Sequence, residues 1–315
     1  MKSIKHFDFY ELDEIAQVVS DNPGLRLNKN LLVIDSSWQY FNPSRYGMRI
    51  EGSASVEFIF FRSLLGGVGV KYNSPFIRDE DKIFFVDKNL FNIPCSEVVG
   101  STIFHEINSV FHPLSFNKTI FMNYFKDQRS NSGFYINMLF ELINSNYSTQ
   151  KNQHTKAFLH IYRAYEHLAY SFPLIFVSTS KSYEGSYSKL KKYFKDGGDS
   201  ELAFGKSFIS DNVDKLMLDS IITINDSSGY VEKVLLKLSI NNFITFDNGV
   251  ISFPLQLVWD MVIEVRNKYF HHLAGMGSSF NSQLLVDSDE FFKYINKPAL
   301  TLLAAIYFSI LTKRL

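Results

Sequence analysis

The chain has one cysteine, Cys95, in 315 residues. A lone thiol excludes an intrachain disulfide and any multi-cysteine metal cluster, and it fits a reducing cytoplasm. Net charge is missing too, because 32 basic and 32 acidic side chains cancel. No global field gathers nucleic acid, so any polyanion site must be a local patch. Long hydrophobic runs are also lacking. The most apolar stretch, PALTLLAAIYFSIL, lies between Lys297 and Lys313 and is too short for a comfortable membrane span, which makes it a buried helix by expectation. The opening residues MKSIKHFDFYELDEIA show no charged start, apolar run and small-residue cleavage site of a signal peptide. There is no internal repeat and no low-complexity tract. Together these absences lead to the expectation of a cytoplasmic protein with no membrane segment.

What is present is a chain long enough to bury one large core or two ordinary ones. The first half reads as mixed and strand-rich. FDFYELDEIAQVVSDN suggests a short helix, and NLLVIDSS, SASVEFIFFRS, GVGVKY and KIFFVDKN suggest strands separated by Gly, Asn, Pro and Asp. STIFHEINSVFHPLSFNKTIFMNYF fits either strands or a helix broken at Pro113. KDQRSNSG and NSNYSTQKNQ read as polar loops around the apolar helix FYINMLFELI, and the boundary is expected there. The expected domains are a mixed N-terminal one over 1–148 and a helical one over 149–315.

The second half reads as helices. HTKAFLHIYRAYEHLAYSF carries Phe158, Ile161, Tyr162, Tyr165, Leu168, Ala169 and Phe172 on one stripe at helical spacing. SYSKLKKYF, NVDKLMLDSIITI and GYVEKVLLKLSI suggest further helices, and FITF-DNG-VISF a hairpin. A long helix opening at Pro254 and running to about His272 follows, with Gly275 as its terminator. DSDEFFKYIN and the apolar C-terminal helix complete a bundle. The fold class expected is α+β.

Several motifs invite chemistry. GGVGV at Gly66–Val70 lacks the phosphate-loop lysine and the dinucleotide fingerprint, so it reads as a tight turn. His105, Glu106 and His112 lack the i, i+4 helical zinc spacing and read as surface or locally bonded residues. In KSYEGSYSKLKKYFK, the residues Lys189, Lys191, Lys192 and Tyr193 could hold RNA, with ammonium groups on phosphates and an aromatic face on an unpaired base. The same pattern also suits a solvated amphipathic helix.

VIEVRNKYFHHLAG is the most suggestive segment. Asn267 and His271 are i, i+4, so an amide on that face can orient an imidazole, and Arg266 is adjacent. A guanidinium offers a fork to phosphate oxygens, and imidazole suits proton transfer near neutrality. That set can cleave an RNA phosphodiester without metal: histidine moves the proton, arginine neutralises developing charge, and the 2′-hydroxyl attacks. Cationic side chains near a helix C-terminus are also explained by its dipole and last carbonyls, which is the simpler reading of the spacing alone.

RNKYFHH resembles the Arg–polar–x3–His signature of the HEPN superfamily (higher eukaryotes and prokaryotes nucleotide-binding), which sits at the end of a long helix late in a bundle. HIYRAYEHLAY resembles the polar-bearing helix that packs beside it. The resemblance covers about residues 150–315 and implies an all-α HEPN-like bundle with a small hairpin insertion. It further implies a metal-independent endoribonuclease of toxin, abortive-infection or other anti-phage type. Arg266 would bind phosphate, Asn267 be its polar companion and His271 the proton-transfer residue. His272 is an alternative, and Glu166 and Tyr162 would support. The resemblance implies a homodimer through the helical domain, RNA as partner, a possible antitoxin or trigger protein, and no cofactor. The alternative is a non-catalytic RNA- or protein-binding module.

Overall fold

The computed structural model describes residues 2–5, 32–35, 48–51, 56–65, 68–71, 83–86, 131–178, 182–197, 201–213, 215–237, 244–270 and 287–312. The N-terminal helix expected over 7–22, the ambiguous segment 101–125 with His105, Glu106 and His112, and Gly66, Gly67 and Gly275 lie outside them. The chain forms two compact units, Met1–Ile143 with Thr312–Leu315, and Asn144–Leu311.

The first unit holds a five-stranded mixed sheet built from β1 (Lys2–Lys5), β2 (Leu32–Asp35), β3 (Met48–Glu51), β4 (Val68–Lys71) and β5 (Ile83–Val86). Its spatial order is β3-β1-β2-β4-β5, with β1 parallel to β3, β2 parallel to β4, and the other two pairs antiparallel. The register aligns Ile50, Ile4, Ile34, Val70 and Phe84 in one row across all five strands. Between β3 and β4 the chain forms α1 (Val56–Leu65). That corrects the strand expected for SVEFIFF. Glu57, Phe60, Phe61 and Leu64 are buried at helical spacing, so a five-residue apolar cluster that looked half-alternating is the inner face of a helix.

The helix FYINMLFELI also runs further than expected, as α2 (Ser132–Gln150) through the polar NSNYSTQ. Leu142, Ser145 and Ser148 are buried one after another at helical spacing. Small hydroxyls occupy inner positions there, which is why the segment looked like a loop.

The second unit is mostly helical with a small antiparallel sheet, so the chain is α+β. Its helices are α3 (His154–Ser178), α4 (Tyr183–Gly197), α5 (Glu201–Asn212), α6 (Lys215–Leu218), α7 (Tyr230–Lys237), α8 (Leu257–Phe270) and α9 (Ser288–Thr312). The expected stripe on α3 is its inner face, every one of its seven residues being buried. The two segments read as separate C-terminal helices are one, α9, which continues through Pro298.

Helices α3 and α9 run parallel with a constant offset. Phe158 packs on Phe292 (ring centroids 4.5 Å), the Tyr165 hydroxyl donates to the Ala299 carbonyl at 2.8 Å, and Phe172 stacks on Tyr307 at 6.0 Å. Burial pushes the Tyr165 phenol well up, which keeps the donated proton in place. At the start of this seam Asn296 Nδ2 donates to the His154 carbonyl (2.9 Å), and the Thr155 N–H donates to Asp289 (2.6 Å). Each fully buried aromatic contributes roughly 1.5–3 kcal/mol. Helix α8 packs antiparallel to α3, with Trp259 stacked on Tyr165 and Phe270 on Phe158. Helix α5 reaches both through Gly205, where an added Cβ would lie 2.9 Å from Ala169 and 2.9 Å from Trp259.

The sheet has the order β6-β8-β7, from β6 (Ile221–Asn225), β7 (Thr245–Asp247) and β8 (Val250–Pro254). The FITF-DNG-VISF hairpin forms as expected. Asn248 (φ 48°) and Gly249 (φ 79°) supply the paired positive angles of its turn. Two corrections accompany it. IITI, read as the end of a helix, is strand β6, because a β-branched run gains a ladder against Val250–Pro254. The second half is therefore not all-α, and its sheet exceeds a hairpin. Pro254 ends β8 rather than opening α8, which starts at Leu257.

Asp226 locks sheet to helix. It is fully buried, accepts the N–H groups of Val231 (2.7 Å) and Glu232 (3.2 Å) at the start of α7, and accepts the Ser228 hydroxyl at 2.6 Å. Burial alone would raise its carboxyl, but these donors outweigh it and hold the group below the usual carboxylate range. A depressed folded value adds stability that is complete above the unfolded carboxyl pKa of about 3.9 and is lost as pH falls through the folded value. Asp226→Ala should cost about 3 kcal/mol at neutral pH, read by urea denaturation. It should also flatten the acid limb of the stability profile below about pH 4. An unchanged acid limb would remove Asp226 from that role.

Candidate functional site

The expected site begins on the last turn of α8. This helix carries Asp260 in its first turn and Lys268 in its last, each favourable to the helix dipole, and Glu264 pairs with Lys268 at 3.6 Å. Val258, Trp259, Met261, Val262 and Val265 are buried and fix its rotation. Arg266 and Asn267 then emerge at the edge, Arg266 partly buried and Asn267 exposed. Phe270 closes the helix against Phe158, while Tyr269 lies edge-on to Phe292.

Arg266 is held by three groups. Its guanidinium carbon lies 4.8 Å from the centre of the Tyr162 ring, Nη2 is 3.9 Å from Glu166 Oε1, and Nη1 donates to Asn267 Oδ1 at 3.1 Å. Tyr162 and Glu166 are i, i+4 on α3 and therefore share a face. Tyr162, Glu166, Arg266 and Asn267, four of the residues singled out in the sequence, thus meet at one point. Asn267 points its oxygen at Arg266, an arrangement that the i, i+4 argument toward His271 did not anticipate. His271 and His272 follow Phe270 directly and lie outside the described residues.

Energetics define what this cluster does. The side chains of Arg266 and Glu166 are 27% and 39% exposed, so their long ion pair contributes at most about 1 kcal/mol. The cation–π contact adds roughly 0.5–1 kcal/mol. Neither competes with the aromatic seams that place α3 and α8. The cluster aims a guanidinium; it does not hold the fold. A planar fork lying on a ring, with one edge against a carboxylate, is oriented for a second, anionic ligand on its remaining N–H groups.

The lysine-rich segment forms α4 (Tyr183–Gly197). Lys189, Lys191 and Lys192 are exposed along it, and Lys192 pairs with Asp211 at 2.7 Å. Tyr193 corrects the expectation of a stacking face. It is fully buried edge-on to Phe204 and Phe208, and its hydroxyl accepts from Asn212 at 2.9 Å. Burial pushes its phenol up. Among the described side chains of α4, the exposed aromatic is Tyr187 instead, at 60%. Sequence spacing separates the two: Tyr193 shares the α4 face that meets Phe204 and Phe208.

Among the described residues no group of three or more His, Cys, Asp or Glu could hold a metal ion, and no helix is long and apolar enough to cross a membrane. Comparison with protein-family models, curated proteins and solved structures finds no match to this chain.

Proposed function

We propose that the chain is a HEPN-type, metal-independent endoribonuclease that acts as a homodimer in a toxin or anti-phage, abortive-infection role in the cytoplasm. The observation that carries this reading is the mount of Arg266 on Tyr162 and Glu166, five residues before His271 in the sequence. Arg266 binds the scissile phosphate and neutralises the charge that develops on its oxygens. His271, or His272 in its place, moves the proton between the 2′-hydroxyl and the departing 5′-oxygen. A second copy of the motif supplies the other proton-transfer partner, and Asn267 keeps the guanidinium aligned. The products are a 2′,3′-cyclic phosphate and a 5′-hydroxyl. The mixed N-terminal unit senses a trigger, restrains the nuclease or selects the RNA.

The test is incubation of the purified full chain with total RNA in EDTA, beside His271→Ala, with the new ends identified chemically. Cyclic-phosphate ends from the parent and none from the variant are expected. Equal cutting by the parent and by a His271→Ala/His272→Ala double variant would end the proposal. A second reading, a non-catalytic RNA-binding module, draws on the exposed Lys189, Lys191 and Tyr187 of α4; it calls for salt-sensitive binding without products.

A further inference from the structure

The outer face of α3 has a composition that the ribonuclease reading leaves unused. Lys156, His160, Arg163, His167, Tyr170 and Leu174 follow one another at spacings of four and three, so they form one stripe. Lys156, Arg163, Tyr170 and Leu174 are exposed, and His160 and His167 half-buried. The stripe spans roughly 27 Å of helix. None of its members is acidic. Glu166, the sole acid of α3, is turned to Arg266. Among the described residues neither Lys156 nor Arg163 forms an ion pair, and the His167 ring makes no hydrogen bond. Arg163 lies next to Tyr162 and three residues before Glu166, on the turn of α3 against which Arg266 of α8 is held.

A stripe that docked another helix would carry apolar side chains at its middle positions. Here those positions are His160, Arg163 and His167. Cationic and N–H donor groups suit phosphate oxygens, and the exposed Tyr170 ring (43%) two turns beyond Arg163 suits an unpaired base. We infer that this face of α3 is a track for single-stranded RNA, which binds by its phosphates at Lys156, Arg163 and His167 and by base stacking at Tyr170. The inference deepens the ribonuclease reading and rests on it for the destination of the strand, which is Arg266.

The experiment measures binding of a fluorescent single-stranded oligoribonucleotide to the full chain over a salt series. His271→Ala is the background, so that RNA survives. Arg163→Ala should reduce the log–log salt slope by about 0.7, the loss of one phosphate contact. Tyr170→Ala should weaken binding roughly 5- to 100-fold at unchanged slope. Lys237→Ala, the same charge loss on α7, should do neither. Effects equal to this control would overturn the track, as would a parent that binds no RNA. Unchanged RNA affinity with a change in sedimentation would overturn it too, by making the stripe a self-association surface. Binding through the stripe by a wild-type chain that cuts nothing would sustain the track and sink the ribonuclease reading.

Discussion

Arg266→Ala should lower RNA cleavage about 100- to 1,000-fold while leaving the melting temperature within a few degrees of the parent. The two halves of this expectation have separate causes. Removing one preorganised donor to a developing oxyanion costs about 3–4 kcal/mol of transition-state stabilisation. The folded state loses only a 3.9 Å ion pair between partly exposed groups, one exposed hydrogen bond to Asn267 and one contact with the Tyr162 ring. Arg266→Lys separates charge from geometry. An ammonium keeps the charge but has neither the planar fork nor the stacking face, so most of the loss should persist. Glu166→Gln should fall between, because the amide keeps shape and loses the charge that aligns the guanidinium. Single-turnover cleavage of a labelled RNA in EDTA, with thermal denaturation of each variant, checks all three. A wild-type rate in Arg266→Ala would remove this residue from the mechanism. Parallel losses of rate and folding would make it structural.

Gly205→Val should destabilise the second unit by about 3 kcal/mol. That corresponds to a fall of roughly 6–12 °C in melting temperature. An added Cβ would stand 2.9 Å from both the Ala169 Cβ and the Trp259 ring, before the two valine methyls are placed. Ala169 lies on the inner face of α3 and Trp259 stacks on Tyr165, so neither retreats cheaply. The valine's small gain in helix propensity over glycine does not offset the overlap. Trp259 precedes Arg266 by two turns of α8, so displacement of the indole should also slow cleavage. Trp259→Phe deletes the atoms in the way, and the double variant should recover part of the loss, a coupling that a thermodynamic cycle measures. Additive effects would show that the close approach is not what makes Gly205 necessary.

Much of the second half was legible in the sequence because its signals are local and redundant. The α3 stripe combines seven buried positions at one period, and the hairpin is announced by Asn248–Gly249. The misreadings share a cause, competition between local pattern and tertiary burial. SVEFIFF has strand composition but lies inward at helical spacing, and NSNYSTQ has loop composition but continues a helix on buried serines. IITI lost its strand signal to the helical NVDKLML before it, since its partner lies about 30 residues further on. For the site, adjacency in sequence linked Arg266 to Asn267, and resemblance alone suggested Tyr162 and Glu166. Their meeting across 100 residues depends on the antiparallel packing of α3 and α8, which no local pattern encodes. Tyr193 went the other way because exposed and buried faces of a short basic helix differ by a single residue step.

The parallel seam of α3 and α9 has a consequence for the newly made chain. Phe158, Tyr165 and Phe172 meet partners about 134 residues later, at Phe292, Ala299 and Tyr307. At about 5–20 residues per second, a ribosome takes roughly 7–27 s to deliver those partners after α3 has emerged. During that interval α3 lacks the surface that fixes its axis, so Tyr162 and Glu166 have no settled position from which to aim Arg266. The helix that contributes no side chain to the cluster thus decides when the cluster can exist. Under the ribonuclease proposal, a mount that cannot form before α9 is made delays cutting until that helix has left the ribosome.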